Sequence, residues 1–195
     1  MAAVCLSHTT ASAIALTVQI SDVTGMPAVD AVVYAEAASG QVLPKQLHSV
    51  QIEQRARKFS PTVTVIQTVT AISFPNHDSV RHQVYSFSAP KIFELKLYSG
   101  AGGDPIIFDK PGTVVVGCNI HDQMAAFIQI VDTPYFGKTD ATGKVTIENV
   151  QPGKYQLKVW HPALPATMAI PEQPVTIATK DITLPILLTF KTEKK

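Results

Sequence analysis

The feature that most constrains this chain is its repeated use of short, β-branched segments separated by turn residues. Fourteen Pro and ten Gly punctuate 195 residues, and no segment carries a sustained helical period. Many short strands between Gly- and Pro-rich turns are typical of β-sandwiches and barrels. The fold class is therefore predicted as all-β. The expected strand segments are Ala15–Ile20, Ala31–Ala35, Thr62–Ile72, Gln83–Phe87, Ile92–Tyr98, Thr113–Val116, Phe127–Val131, Lys144–Ile147, Tyr155–Trp160 and Pro174–Ile177.

One segment leaves the choice between helix and strand open. Residues Gln46–Lys58 have the only plausible helical pattern, yet the stretch HSVQIEQR also alternates, with Val50 and Ile52 on one face. Alternation of period two favours a strand over a helix.

Composition excludes several classes of protein. With 46% hydrophobic residues the chain can bury a core, so disorder is excluded. Its 16 Lys and Arg against 15 Asp and Glu give a net charge of +1, which offers no field for nucleic acid. Its apolar runs are shorter than the roughly 20 residues of a membrane helix. We therefore expect a soluble protein that does not bind nucleic acid.

The N-terminal residues predict export. Residues 1–13 are uncharged and end in Ala11-Ser12-Ala13, a small-x-small site of the kind that signal peptidase cleaves. No basic residue precedes this site, so a longer signal or a cytosolic N-terminus stays open. Export predicts a periplasmic or secreted protein. If the signal is removed, Cys5 leaves with it and Cys118 is alone; otherwise a disulfide between the two is the alternative.

Two distant segments have the turn chemistry of one sandwich. Asp22, Gly25, Pro27 and Ala31 fit the pattern D-x-x-G-x-P-x-x-x-A, whose usual continuation, T-D-x-x-G followed by P-G-x-Y, occurs only at residues 139–155. This pattern resembles the prealbumin-type, carboxypeptidase regulatory-like β-sandwich. The separation predicts that residues 14–44 with 132–195 form this sandwich and that a second β-domain at 45–131 interrupts it. Two sequential domains are the alternative.

The segment GCNIHDQMAAF carries the chemistry. Cys118, His121 and Met124 are spaced C-x-x-H-x-x-M directly after the strand TVVV, so a short loop can aim a thiolate, an imidazole and a thioether at one point. A second His from another strand would complete the trigonal set, with a weak axial Met, that characterises blue copper and suits one-electron transfer.

At this point the sequence resembles the cupredoxins, most closely the amicyanin and plastocyanin branch. The stretch FPNHDSVRHQVYSF resembles their N-x-[DE]-x-x-x-H segment, which makes His82 the first ligand, and Cys118, His121 and Met124 fall on an amicyanin-type ligand loop. The resemblance covers about residues 60–131 and implies a cupredoxin-type Greek-key sandwich that binds one copper ion and exchanges electrons with redox protein partners. The whole chain, with the motifs KIFELKLYSG and FDKPG and the tripeptide WHP after the last hairpin, resembles exported bacterial proteins labelled methylamine utilization protein or plastocyanin-like protein.

Some features depart from that pattern or compete with it. Gln83 stands where cupredoxins have an Asn that ties the ligand loops together, and the loop carries polar Asp122 and Gln123. His77 is a rival first ligand, and the adjacent Asp78 could orient or replace a ligand.

Three functions follow from these residues. The leading one is periplasmic electron transfer by a type 1 copper site, a role that involves no catalysis. The second is a red-copper enzyme, with Asp78 or Asp122 in place of Met124. The third is a copper carrier or a carbohydrate-binding-like or structural module.

Overall fold

A computed structural model describes residues 14–38, 40, 43–45 and 48–192. The predicted signal segment 1–13, with Cys5, lies outside the described residues. Within them the protein is all-β, as the turn-punctuated sequence predicts, and the strands form β-sandwich layers. The strands are β1 (Ile14–Ser21), β2 (Val32–Ala37), β3 (Ser49–Gln51), β4 (Glu53–Arg55), β5 (Lys58–Ser60), β6 (Val63–Gln67), β7 (Thr70–Ser73), β8 (His82–Ser86), β9 (Phe93–Tyr98), β10 (Ile106–Phe108), β11 (Gly112–Gly117), β12 (Ala125–Val131), β13 (Phe136–Lys138), β14 (Lys144–Val150), β15 (Gly153–Trp160), β16 (Glu172–Ile177) and β17 (Ile182–Leu187).

The first two strands pair with the last five. One sheet has the order β14-β1-β17 and a second has β13-β2-β15-β16. Alternate residues of β1 are buried, among them Leu16, Val18 and Ile20, and they pack in one core with Leu157 and Val159 of β15. We call this part the terminal sandwich. Strand β17, which carries Pro185, lies at the edge of its sheet, where a residue without an N–H is tolerated.

The middle of the chain forms a second apolar core. A five-stranded sheet of order β6-β12-β11-β8-β9 faces the three strands β10-β7-β3, and the hairpin β4-β5 lies beside them. Val84 and Val114 are fully buried between these layers with Phe108 and Ile128. We call this part the central sandwich. Whether the two parts are independently folding domains with the predicted boundaries stays a prediction.

The expected strand Thr62–Ile72 is in fact two strands. Its first half, β6, belongs to the five-stranded sheet, and its second half, β7, belongs to the opposite sheet. The chain changes sheets at Val69, which has a φ of 69°. A β-branched residue is a poor candidate for this left-handed conformation, so the residue types gave no sign of the turn.

The described residues of the stretch Gln46–Lys58 form short strands and a turn, with no helix. Strands β3 and β4 occupy residues 49–51 and 53–55, and Ile52 between them is fully buried. The alternating interpretation was thus the correct one.

An apolar cluster joins the two sandwiches. Trp160 of the terminal sandwich packs against Phe127 of the central one, with ring centroids 5.9 Å apart. Beside them Lys138 Nζ donates to the carbonyl oxygen of Val63 at 3.0 Å and pairs with Asp30 Oδ1 at 2.7 Å. The terminal sandwich therefore covers part of the sheet from which the ligand loop projects.

Candidate metal centre

The loop between β11 and β12 holds three of the four predicted ligands. Gly117 and Ala125 are partners at the ends of these antiparallel strands, so the loop comprises residues 118–124. The backbone N–H of Cys118 donates to the carbonyl oxygen of Met124 at 3.2 Å, and that of Met124 donates to His121 at 2.9 Å. These bonds fold the loop into a compact turn with Cys118 and Met124 at its base.

The fourth predicted ligand comes from the neighbouring strand. β8 pairs with β11, where Tyr85 is the partner of Gly117, and His82 is the first residue of β8. Its side chain is completely buried, an unusual position for an imidazole without a structural or chemical role.

The structure brings His82, Cys118 and His121 together. One ligand atom from each of them lies within 4.8 Å of the others. The Sγ of Cys118 is 3.7 Å from Nδ1 of His82 and 4.0 Å from Nδ1 of His121, and the two imidazole ring centroids are 5.0 Å apart. Cys118 is 4% exposed and is a free thiol, and His121 is half-buried.

Met124 lies at the same end of the sandwich. Its side chain is 1% exposed, and it lines a surface groove together with Cys118. Its role as an axial ligand stays a prediction.

These separations fit a bound metal ion. Thiolate and imidazole ligands of Zn²⁺ lie about 2.3 and 2.0 Å from the metal. At an angle of about 120° such bond lengths put sulfur and nitrogen about 3.7 Å apart, and a wider angle gives 4.0 Å. The observed S–N distances therefore suit coordination of one ion, and they are too long for strong hydrogen bonds.

Asp78 fixes the orientation of His82. Its Oδ2 lies 2.8 Å from Nε2 of His82, which leaves Nδ1 directed at Cys118. A carboxylate on one ring nitrogen favours the tautomer with its proton there, so the other nitrogen keeps a lone pair for a metal. The sequence predicts that Asp78 could orient or replace a ligand, and in the structure Asp78 contacts a ring nitrogen of the predicted ligand His82.

A tight hairpin in turn holds Asp78. Ala56 and Arg57, which connect β4 to β5, both have positive φ, and their backbone N–H groups donate to Asp78 at 2.6 and 2.9 Å. These N–H donors, first that of Arg57, together with His82 hold the pKa of Asp78 below its usual range. Asp78 is therefore a carboxylate at neutral pH.

A polar network lies behind the same histidine. Tyr98, the strand partner of His82, donates its hydroxyl to Phe74 and accepts a hydrogen bond from the fully buried Gln54 at 2.6 Å. Burial raises the pKa of Tyr98 to about 12. The hydroxyl therefore remains a donor.

His77 and Gln83 make contacts outside the predicted metal site. His77, the rival first ligand, is outside the ligand group, with its Nε2 3.9 Å from Glu53. Gln83 donates to Glu94 of β9 at 2.5 Å rather than to the ligand loop. The orienting contact thus comes from Asp78, four residues before the histidine.

The terminal sandwich contains the two Asp turns that its pattern predicted. Asp22 Oδ1 accepts from the N–H and hydroxyl of Thr24, and Asp140 does the same with Thr142. Gly143 has a φ of 77°, as the second turn requires. The likeness of this part to carboxypeptidase regulatory-like domains stays a prediction.

Comparisons with known proteins find one matching family model and several similar solved structures. The family model of polysaccharide lyase family 4, domain II, matches residues 113–184. No curated protein sequence matches the chain.

Solved structures similar to this chain include copper proteins. A copper-containing nitrite reductase from Thermus scotoductus SA-01 is 24% identical over 50% of this chain and 25% of its own, with a TM-score of 0.40. A purple cupredoxin from Nitrosopumilus maritimus is 21% identical over 42% of this chain and 99% of its own, with a TM-score of 0.35. Amicyanin from Paracoccus versutus is 15% identical over 50% of this chain and 91% of its own, with a TM-score of 0.38. The match to this chain therefore covers a quarter of the length of the nitrite reductase.

Proposed function

We propose that this protein is a mononuclear type 1 copper protein that transfers single electrons between redox proteins. His82, Cys118 and His121 would bind the copper, with Met124 as the axial ligand. The observation that carries the proposal is the convergence of one thiol and two imidazole nitrogens within 4.8 Å.

The chemistry of the donor set supports copper. A thiolate and a thioether stabilise Cu(I), two imidazoles keep Cu(II) bound, and a Cys-His₂ set with a weak Met is the ligand combination of blue copper. Copper also binds mixed nitrogen and sulfur sites more tightly than the other divalent first-row metals.

Burial and anchoring of the ligands support electron transfer over copper delivery. His82 and Cys118 are 0% and 4% exposed, and each belongs to or adjoins a strand of one sheet. Ligands held on a close-packed β-scaffold move little when the charge of the metal changes, which favours rapid electron exchange. A carrier that hands over copper needs ligands that a recipient protein can reach. The half-buried His121 is the ligand best placed to pass the electron to a partner.

The terminal sandwich supports the site structurally in this proposal. Strand β12 begins next to Met124, and its Phe127 packs on Trp160. This contact holds β12, the strand that follows the ligand loop, against the terminal sandwich. Among the described residues there is no helix with the length and hydropathy needed to cross a membrane. We propose the periplasm as the compartment, on the basis of the N-terminal sequence.

The test is protein-film voltammetry of the copper-loaded protein from Ile14 onward, with matched histidine variants. The wild type is expected to give one reversible one-electron wave. H121A should lose that wave, whereas H77A should keep it because His77 contacts Glu53 rather than the ligand group. An intact wave in H121A, or its loss in both variants, would contradict the proposed ligand set. Copper that passes to an apo-acceptor without a redox wave would favour the carrier function.

A further inference from the structure

A surface groove of about 440 Å³ lies beside the candidate metal centre, on the side of Cys118 and Met124. Cys118 and Met124 line it, whereas neither His82 nor His121 does. Volumes of about 300–1,000 Å³ are typical of small-molecule sites. The groove therefore borders the two sulfur-containing residues, which are themselves 4% and 1% exposed, and does not include His121.

Two aromatic rings form part of the groove. Phe87 is 81% exposed, and its ring centroid is 5.2 Å from that of Tyr85. The Tyr85 ring lies over Gly117, where an added Cβ would come within 3.1 Å of the ring. Because Gly117 has no side chain, the Tyr85 ring can pack closely on the backbone beside the ligand loop. The solvent-exposed ring of Phe87 is suited to stacking on a planar ligand.

The polar residues of the groove restrict the charge of that ligand. Asp122 and Asn119 line its loop end, and Ser88 lines its other end. None of the lining residues, all within the described part of the chain, is Lys or Arg. With no Lys or Arg in the groove lining, the carboxylate of Asp122 disfavours an anion, and together with the amide of Asn119 it can accept hydrogen bonds from hydroxyl groups.

The geometry points to a binding site for a neutral hydroxylated aromatic reductant of the hydroquinone class. This inference rests on the proposed function, since the electron acceptor is the Cu(II) that the ligand set would hold. The bound hydroquinone would lose one electron and one proton to become a semiquinone. The electron would pass by way of Cys118 to the Cu(II) that the site would hold, giving Cu(I), and the proton would leave to solvent. His121 would then stay available for the protein that removes the electron.

Binding is tested first on the copper-free protein. Hydroquinone is titrated into the ¹⁵N-labelled chain, and saturable shift changes are expected at the amides of Tyr85, Gly117 and Asn119. F87A should raise the dissociation constant about 3- to 10-fold, the size expected for the loss of one aromatic stacking contact. L187A removes a comparably exposed apolar side chain from the terminal sandwich and should change nothing. The absence of saturable shifts, or equal effects of both variants, would overturn the binding site.

Electron transfer is tested next by anaerobic stopped-flow reduction of the Cu(II) form. The rate should saturate with hydroquinone concentration and should need 3- to 10-fold more hydroquinone in F87A than in L187A for half its maximum. A linear dependence that F87A leaves unchanged, in protein with an intact blue band, would overturn the inference and leave the copper site standing. Hydroquinone binding to a protein that forms no blue copper centre would instead contradict the proposed function.

Discussion

Replacement of Asp78 by Asn is predicted to weaken copper binding far more than it weakens the fold. The carboxylate accepts from Nε2 of His82 and from the N–H groups of Ala56 and Arg57. An Asn side chain has one oxygen for these three donors. If the oxygen of the introduced Asn keeps its hydrogen bonds to the hairpin, the NH₂ group of that Asn faces Nε2 of His82. This donor favours the His82 tautomer with its proton on Nδ1, which is the nitrogen directed at Cys118.

The magnitude follows from this contact. Removal of a partner that orients a metal-ligating His typically costs 10- to 100-fold in metal affinity. That range corresponds to about 1.4–2.7 kcal/mol. The loss of unfolding free energy in the copper-free protein should be only about 1 kcal/mol, since the hairpin N–H groups are exposed and water can replace the carboxylate.

The assay is a competition titration of Cu(I) with a chromophoric chelator, together with urea unfolding of the copper-free protein. D109N is the matched control, because Asp109 also belongs to the central sandwich and pairs with Lys91 at 3.2 Å, away from the ligand group. D109N should leave copper affinity unchanged. A D78N protein whose copper affinity stays within about twofold of wild type would refute the orienting role of Asp78.

Three further outcomes concern the scaffold. The hydroxyl of Thr24 is the main group that holds the pKa of Asp22 below its usual range. The Asp22 carboxylate therefore stabilises the fold at pH values above the ordinary Asp pKa, and this stabilisation is lost as the pH falls. The urea midpoint should therefore drop less between pH 6 and pH 3 in D22N than in wild type. W160A removes the ring that packs on Phe127 and should lower the unfolding free energy by about 3–5 kcal/mol in urea titrations. G143A should lower the melting temperature markedly, since the new Cβ would lie 2.4 Å from the carbonyl oxygen of Ile20 at a φ of 77°, and an unchanged melting temperature would contradict that reasoning.

The ligand loop was predictable because its determinants are local. The runs TVVV and AFIQI are rich in β-branched and apolar residues and both form strands, so the residues between them had to form a short connection. Spacing alone then placed Cys118, His121 and Met124 in one turn. His82 is different, because a residue 36 positions earlier reaches this turn only through the pairing of β8 with β11. The resemblance to cupredoxins supplied that long-range information, and composition did not.

The support around His82 could be predicted only in part. Asp78 was visible as a carboxylate near two histidines, but the hairpin that holds it was not. Its turn residues are Ala56 and Arg57, which both adopt positive φ although neither is a typical turn residue. Local residue preference fails here because hydrogen bonds to a distant carboxylate stabilise the turn. The contact of Trp160 with Phe127 was hidden for a similar reason, since it joins strands from the two sandwiches.

The most direct test of the copper proposal is the optical and EPR spectrum of the protein from Ile14 onward, loaded with one equivalent of Cu(II). The proposed ligand set predicts an intense blue thiolate-to-copper band and narrow copper hyperfine splitting, both abolished in C118S. A colourless protein, a pale one with ordinary tetragonal copper, or a blue band that survives in C118S would contradict the assignment.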